Sequence, residues 1–222
     1  CRSGHESKVL PMTRPAAHVS TLSALSPRQS ICHIPSPARW GIEALAGRLS
    51  ELSGLGPTAR LSLAVGLVCE AQRAGETAAW ITNRRSTFFP PDAAKSGADL
   101  ARLPVVFTPD APAAARAAWR LIQSGGFGLV VLDLVGSDAE VPIPLQSRLT
   151  GAAQAHGAAV VFVTEKAADR ASLGSLVSLR CEAHQEKAGI DRFLCTARAR
   201  KDKRRGPGWT YTEVRRGPAG LR

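Results

Sequence analysis

The sequence predicts an α/β protein whose mostly parallel, twisted sheet is flanked by helices and extended by antiparallel strands at one edge. Two observations support this fold class. Between residues 48 and 164, short apolar runs typical of buried strands alternate with helical segments, which is the pattern of a parallel sheet with crossover helices. After residue 171, three strand-like segments follow one another without a long helix, as antiparallel strands do.

The alternating part of the chain contains five predicted strands and four predicted helices. The strands are runs of apolar or alternating residues: 48–53, 77–82, 105–107, 129–133 and 158–164. The helices have apolar residues at helical spacing or are rich in alanine: 61–73, 91–95, 111–124 and 145–156. The later strands are predicted at 176–183, 192–199 and 209–214. Right-handed crossovers then bring the loops that follow the parallel strands to one edge of the sheet.

Composition places the chain among globular proteins. Of its 222 residues 44% are hydrophobic and 21% are charged. No apolar run approaches the ~18 residues of a membrane span. The five cysteines form neither a C-x-x-C pair nor a cluster with zinc spacing, which disfavours a disulfide scaffold and a structural zinc site. Cys181 and Cys195 lie on predicted strands, where we expect small buried side chains, and a cytoplasmic protein is expected.

The net charge of +11 is concentrated at the two ends of the chain. Residues 198–222 contain nine basic and two acidic residues, and residues 1–39 contain five basic and one acidic, whereas residues 40–197 are neutral. Basic ends on a neutral globule predict contact with a polyanion, most often nucleic acid. A tail that serves only solubility is the alternative.

Three segments are predicted from these patterns. Residues 1–39 are rich in proline and serine, and we expect a flexible arm there, with Met12, the only methionine, as the natural start. Residues 40–197 are expected to form the α/β core. Residues 198–222 are expected to form a basic C-terminal tail that includes an edge strand.

The turn after the first predicted strand is where a sheet of this class holds a nucleotide phosphate. A working loop reads G-x-x-x-x-G-K-[ST]: the second glycine lets the backbone approach phosphate, the lysine reaches the β and γ oxygens, and the hydroxyl binds Mg²⁺. Here Gly54 keeps the first position, but Ala59, Arg60 and Leu61 stand at the other three. The segment therefore predicts a degenerate loop without Mg²⁺-dependent hydrolysis, in which Arg60 can still meet an anion.

Four stretches of the sequence carry a resemblance to a known family. In chain order they are GRLSELSG at 47–54, SGADLARLPVVF at 96–107, AAWRLIQSGGFGLVVLDL at 117–134 and LCTARARKDKRRGPG at 194–208. Together they resemble a RecA-like core and, within that superfamily, the ImuA family of translesion-synthesis accessory proteins, often described as SulA- or RecA-like. The resemblance covers residues 40–208, and the colinear order of the stretches supports it.

The resemblance implies a RecA-like fold that has lost catalysis and serves as an adaptor in SOS damage-induced mutagenesis, with neither enzyme activity nor a cofactor. The implied partners are the RecA recombinase, an ImuB-like Y-family polymerase subunit and, through that subunit, an error-prone polymerase. Two alternatives stay open. One is a divergent RecA-like DNA-dependent ATPase in which Arg60 replaces the lysine, and the other is a SulA-like inhibitor of cell division.

Three other features bear on the loss of catalysis. Asp133 stands where active relatives carry an acid that helps to hold Mg²⁺, and the alternative is that it only ends its strand or caps a turn. The segment after the second predicted strand carries no carboxylate that could activate water. Glu165 stands where active relatives carry a polar sensor of the γ-phosphate, and its charge would repel phosphate unless Lys166 compensates.

A basic segment near the C-terminus is the candidate DNA-binding site. Its members are Arg198, Arg200, Lys201, Lys203, Arg204 and Arg205, followed by Trp209. Basic side chains bind phosphates without reading sequence, and an aromatic ring can stack on an unpaired base. The alternatives are a solvated run of charges and, for Trp209, a ring that packs inward from an edge strand.

Overall fold

A computed structural model describes residues 40–85 and 88–217 of the chain. The arm predicted for residues 1–39 and the last five residues, 218–222, lie outside the described residues. No helix in the described ranges is long and apolar enough to cross a bilayer.

Eight strands and five α-helices form the described part of the chain. In order they are α1 (Ile42–Leu45), β1 (Arg48–Gly54), α2 (Arg60–Arg73), β2 (Ala78–Thr82), α3 (Pro90–Lys95), β3 (Val105–Phe107), α4 (Ala111–Gln123), β4 (Leu129–Asp133), α5 (Ile143–His156), β5 (Ala159–Glu165), β6 (Leu179–Gly189), β7 (Arg192–Asp202) and β8 (Thr210–Arg216). All of the predicted elements occur. The largest difference is at β6, which continues to Gly189 although residue 183 was the expected end.

The strands form one sheet in the order β3-β2-β4-β5-β1-β6-β7-β8. Neighbouring strands from β3 to β6 are parallel, whereas β7 runs antiparallel to both β6 and β8. This arrangement confirms the predicted fold class. It also corrects the expected start of a basic tail at residue 198, because β7 runs through that position and β8 pairs with it. Residues 198–202 and 210–216 are therefore part of the sheet, and residues 203–209 form the turn between the two strands.

Helices cover both faces of the parallel strands. On one face α2 contributes Leu67 to a buried cluster that includes Trp80 of β2. On the other face α4 and α5 contribute Ile122 and Leu149, which pack with Phe162 of β5. The chain moves outward from β1 to β3 and then returns to β4 and β5. Right-handed crossovers in these two directions place their helices on opposite faces.

The antiparallel strands extend past the edge at which the parallel strands end. β1 pairs with β6 only as far as Ser53 opposite Glu182, but β6 continues for seven more residues, about 23 Å at ~3.3 Å per residue. We call residues 183–198 and 210–216 the ribbon. One face of the ribbon lies on α2 and buries Cys195 and Ala197, while the opposite face is open to solvent. Cys181 is also buried, as expected.

Candidate functional site

The carboxyl ends of the parallel strands bring four predicted positions to one edge of the sheet. β1 ends at Gly54, β4 at Asp133 and β5 at Glu165, and the degenerate loop leads from Gly54 to Arg60 at the start of α2. In open α/β sheets ligands bind outside this edge. The contacts made by these side chains decide what the edge can hold.

The guanidinium group of Arg60 lies inside the loop between β1 and α2. The side chain is buried, and its Nη1 donates hydrogen bonds to the carbonyl oxygens of Gly54 at 2.8 Å and Thr164 at 3.2 Å. Its Nη2 donates to the carbonyl oxygen of Gly56 at 2.9 Å and lies 3.6 Å from the Glu165 carboxylate. The loop therefore surrounds a cation supplied by the chain itself.

The orientation of the loop backbone is opposite to what phosphate requires. A phosphate site works because backbone N–H groups point into it. Here three carbonyl oxygens point at the guanidinium, and Glu165 adds a negative charge. A phosphate in the same place would meet oxygen atoms and a carboxylate.

The two neighbours of Arg60 also take structural roles. Ala59 is buried in the core under α2, and Leu61 packs against the same core cluster. Ser62, the next hydroxyl along the chain, forms a side-chain hydrogen bond with Cys195 of β7. The hydroxyl that would bind Mg²⁺ in a working loop is thus replaced by a packed leucine, and the nearest hydroxyl is engaged elsewhere.

Asp133 is fully buried at the end of β4. Its Oδ1 accepts a hydrogen bond from the backbone N–H of Val135 at 3.2 Å, and its Oδ2 accepts one from the Thr82 hydroxyl at 3.3 Å. Asn83 spans the same gap, because its side-chain amide donates to the carbonyl oxygen of Val135 at 3.1 Å. These contacts are those of a residue that caps the turn after β4 and joins β4 to β2.

Glu51 is a buried carboxylate that the sequence analysis did not single out. It lies inside β1, where all seven residues are buried. Glu51 accepts hydrogen bonds from the Thr164 hydroxyl at 2.8 Å and the Leu173 N–H at 2.7 Å, and it pairs with Lys166 at 2.9 Å. These contacts hold the segment after β5 against the sheet. Lys166 is therefore paired with Glu51, and Arg60 is the cation nearest to Glu165.

A cleft of about 620 Å³ opens between the carboxyl ends of β2 and β4. Its lining contains Arg84, Arg85, Asp110 and Asp138. Asp110 is already engaged as the N-cap of α4, where it accepts a hydrogen bond from the Ala113 N–H at 2.6 Å. The cleft has room for a small ligand, but the hydroxyl groups in its lining are engaged with the backbone: Thr108 donates to the carbonyl oxygen of Thr82 at 3.3 Å and Ser137 to that of Leu134 at 2.9 Å.

The predicted DNA-binding residues separate into two groups. Lys201 and Lys203 turn toward residues 172–175, with Lys201 donating to the Ser172 hydroxyl at 3.0 Å and Lys203 to the Ser175 carbonyl oxygen at 2.7 Å. Burial, together with the nearby charge of Lys203, lowers the pKa of Lys201. Arg204 donates to the carbonyl oxygen of Ala46 at 3.2 Å. These three side chains fasten the turn between β7 and β8 to its neighbours.

The other group lies at the surface. Arg198 and Arg200 are exposed on β7, on the face of the sheet away from α2, and Arg205 is exposed in the turn. Arg200 forms an ion pair with Glu182 of β6 at 2.9 Å. Arg198 therefore has the less neutralised charge of the two on this strand.

Trp209 does not belong to the candidate DNA-binding site. Its ring is only 6% exposed and is part of the α2 core cluster, and its Nε1 donates to Asp202 at 3.1 Å. Asp202 is itself buried and pairs with Arg48 at 2.8 Å. The inward-packing alternative for Trp209 is the one that the structure supports, so the ring has no free face for a base.

Comparisons with known proteins add no relatives. No protein-family model matches the chain, and no curated protein matches it. Within the described ranges, no three His, Cys, Asp or Glu side chains lie together in an arrangement suited to a metal ion. Function is therefore argued from the contacts above and from the resemblance of the four sequence stretches.

Proposed function

We propose that the protein is a non-catalytic accessory protein with a RecA-like core, of the ImuA type, that acts by binding in SOS damage-induced translesion synthesis. Its proposed partners are a RecA recombinase, an ImuB-like Y-family polymerase subunit, an error-prone polymerase reached through that subunit, and DNA. The proposed place of action is the cytoplasm. The four resembling stretches support this assignment, and the fold class is the one that the resemblance implies.

The observation that carries the proposal is the position of Arg60. Three backbone carbonyl oxygens hold its guanidinium group where a phosphate would lie. Hydrogen bonds that involve a charged group contribute about 1.5–3 kcal/mol each, so a nucleotide would have to break several of them before it could enter. This arrangement favours a protein that acts by binding partners at its surface over one that hydrolyses ATP.

The exposed surface of the ribbon is a second observation that supports a binding role. It extends the sheet past the edge where active relatives do their chemistry, and one of its faces is exposed over its length. A protein that works as an adaptor needs such surface, and the parallel core, whose strands are buried on both faces, does not provide it.

Purified partners test the proposal directly. The full chain, immobilised, should retain a RecA recombinase and an ImuB-like subunit, and phosphate release from ATP should stay at background with and without DNA. Capture of neither protein would contradict the adaptor role. Phosphate release that disappears in Arg60→Ala would instead support the divergent ATPase, and retention of the tubulin-like division protein would support the SulA-like alternative.

A further inference from the structure

The open face of the ribbon carries an arrangement of arginines that its own strands do not neutralise. In the β7–β8 register Arg192 lies opposite Arg216, and Arg198 lies opposite Thr210. Residues directly opposite each other in an antiparallel pair project from the same face. We call the side of β7 and β8 that carries these three arginines the bare face.

Two like charges sit side by side at one end of the bare face. Arg192 and Arg216 are both exposed, and neither forms an ion pair with any described residue. Like charges directly opposite each other in a sheet are destabilising. An anion placed between the two guanidinium groups would remove that repulsion, so the pair is better suited to a bound complex than to the free protein.

The acidic residues that share this face lie on β6. Glu182 lies directly opposite Arg198 in the β6–β7 register, but its carboxylate pairs with Arg200 at 2.9 Å and with His184 at 3.2 Å. Glu186 is exposed and lies opposite Leu194. The positive charge is therefore concentrated on β7 and β8, the last two strands at one edge of the sheet.

The spacing of the arginines fits a duplex. Six residues separate Arg192 from Arg198, which is about 20 Å along the strand. Between them on this face lie Leu194 and Thr196, which pair with Val214 and Thr212, and the two threonine hydroxyls are 3.1 Å apart. Phosphates on the two sides of a major groove about 12 Å wide are within reach of long side chains at both ends of this span.

Single strands fit the bare face less well. Stable binding of unpaired bases depends on aromatic rings on which they stack. The rings of Phe193 and Tyr211 belong to the opposite face of the ribbon, where they pack against the α2 core cluster. The bare face offers charge without a stacking platform.

We propose that the bare face binds the phosphate backbone of duplex DNA through Arg192, Arg198 and Arg216. The inference rests on the DNA partner in the proposed function and moves the contact from the 201–205 turn to the β7–β8 surface. Because phosphate contacts carry no sequence information, binding is independent of sequence and strongly dependent on salt.

Fluorescence anisotropy with a labelled mixed-sequence 25-base-pair DNA duplex tests the site in the full chain. Three charge-matched triple variants to alanine are compared with the parent: Arg192/Arg198/Arg216 on the bare face, Lys203/Arg204/Arg205 in the turn, and Arg102/Arg116/Arg120 elsewhere on the surface. Each phosphate contact contributes about 0.9 to the slope of log affinity against log salt. In the bare-face variant the magnitude of that slope should therefore be smaller by about 2.7. Between 50 and 200 mM salt the parent should then lose about 40-fold more affinity than this variant. The other two variants should keep the slope.

Three results would overturn the inference: no duplex binding by the parent, an equal fall in slope for all three variants, or a fall confined to the turn variant. Binding of poly-glutamate without binding of duplex would assign the face to an acidic protein and count against the inference. Thermal melting checks that each variant folds. Arg198→Gln keeps the aliphatic stem and should lose about one contact, 0.9 in slope, if the triple variant does not fold. The bare-face variant should capture the recombinase as well as the parent does. Failure of the parent to capture the recombinase would therefore count against the adaptor role and not against the DNA-binding face.

Discussion

Replacement of Asp202 by alanine removes the anion from a buried site that joins the β7–β8 turn to the start of β1. The carboxylate accepts hydrogen bonds from Arg48 at 2.8 Å, from the Arg204 N–H at 2.9 Å and from the Trp209 ring at 3.1 Å. The side chains of Arg48 and Asp202 are 3% and 1% exposed, so water cannot take the place of either partner.

The expected loss of stability follows from that burial. Arg48 keeps its hydrogen bond to Ser178, but its charge is left without a counter-ion in the interior. Breaking a buried ion pair by removing one partner costs about 3–5 kcal/mol. For a domain of this size each kcal/mol lowers the melting temperature by about 2–4 °C, so we expect a fall of about 10 °C.

Urea unfolding of the parent, Asp202→Ala, Arg48→Met and the double variant measures this directly. The double variant should be more stable than the sum of the single changes predicts, because it removes both charges. Asp169→Ala, at an exposed position, is the matched control and should change stability by no more than about 0.5 kcal/mol. A loss below about 1 kcal/mol for Asp202→Ala, or strict additivity in the cycle, would refute the reasoning.

Three further changes have defined outcomes. Burial raises the pKa of the Asp202 carboxyl group, but hydrogen bonds from Arg48, Arg204 and Trp209 lower it more, so the folded value lies below the ordinary value of 3.8. The stabilisation that Asp202 provides is therefore complete above pH 3.8 and is lost as the pH falls through the folded value. The free energy of unfolding in urea should change less between pH 7 and pH 3 in Asp202→Asn than in the parent. Trp209→Ala should cost about 3–5 kcal/mol by thermal melting and lower single-strand and duplex binding together, whereas a loss confined to single strands would contradict its place in the core. Asp133→Asn should cost about 1–3 kcal/mol through its two hydrogen bonds, and a Mg²⁺-dependent rise in melting temperature seen only in the parent would show that the acid holds metal.

β4 and β5 were predictable because burial on both faces leaves an almost continuous apolar run, whereas β1 is fully buried and yet carries polar and charged side chains. β4 (Leu129–Asp133) and β3 (Val105–Phe107) have the bounds that the sequence indicates. The antiparallel strands were harder to delimit, because only alternate residues of β7 are buried. Ala197 and Ala199 face α2 while Arg198 and Arg200 face solvent, and in the sequence this alternation reads as a charged tail.

The sequence shows which residue types stand at the site but not which groups their side chains contact. The loss of the loop lysine is visible in the sequence, but one of the partners of Arg60 is the carbonyl of Thr164, a contact 104 residues away along the chain. The role of Glu51 depends in the same way on Thr164 and Leu173. A carboxylate inside an otherwise buried strand was the available signal, because such a group is stable there only with partners. Trp209 was ambiguous until Asp202 was seen to lie against its ring nitrogen.

The measurement that tests the central claim most directly is equilibrium binding of ATP by calorimetry, with and without Mg²⁺, in the full chain and in the variant Ala59→Gly/Arg60→Lys/Leu61→Thr. The account predicts no binding to the parent at millimolar nucleotide, because the Arg60 guanidinium group is held by the carbonyl oxygens of Gly54, Gly56 and Thr164, and these oxygens cannot donate hydrogen bonds to a phosphate. Any ATP binding that is detected should be detected in the triple variant, in which glycine, lysine and threonine stand at the three altered positions of the loop. Micromolar, Mg²⁺-dependent binding of ATP to the parent that weakens in Arg60→Ala would contradict the account, because the Arg60 side chain would then bind the nucleotide instead of the loop carbonyl oxygens.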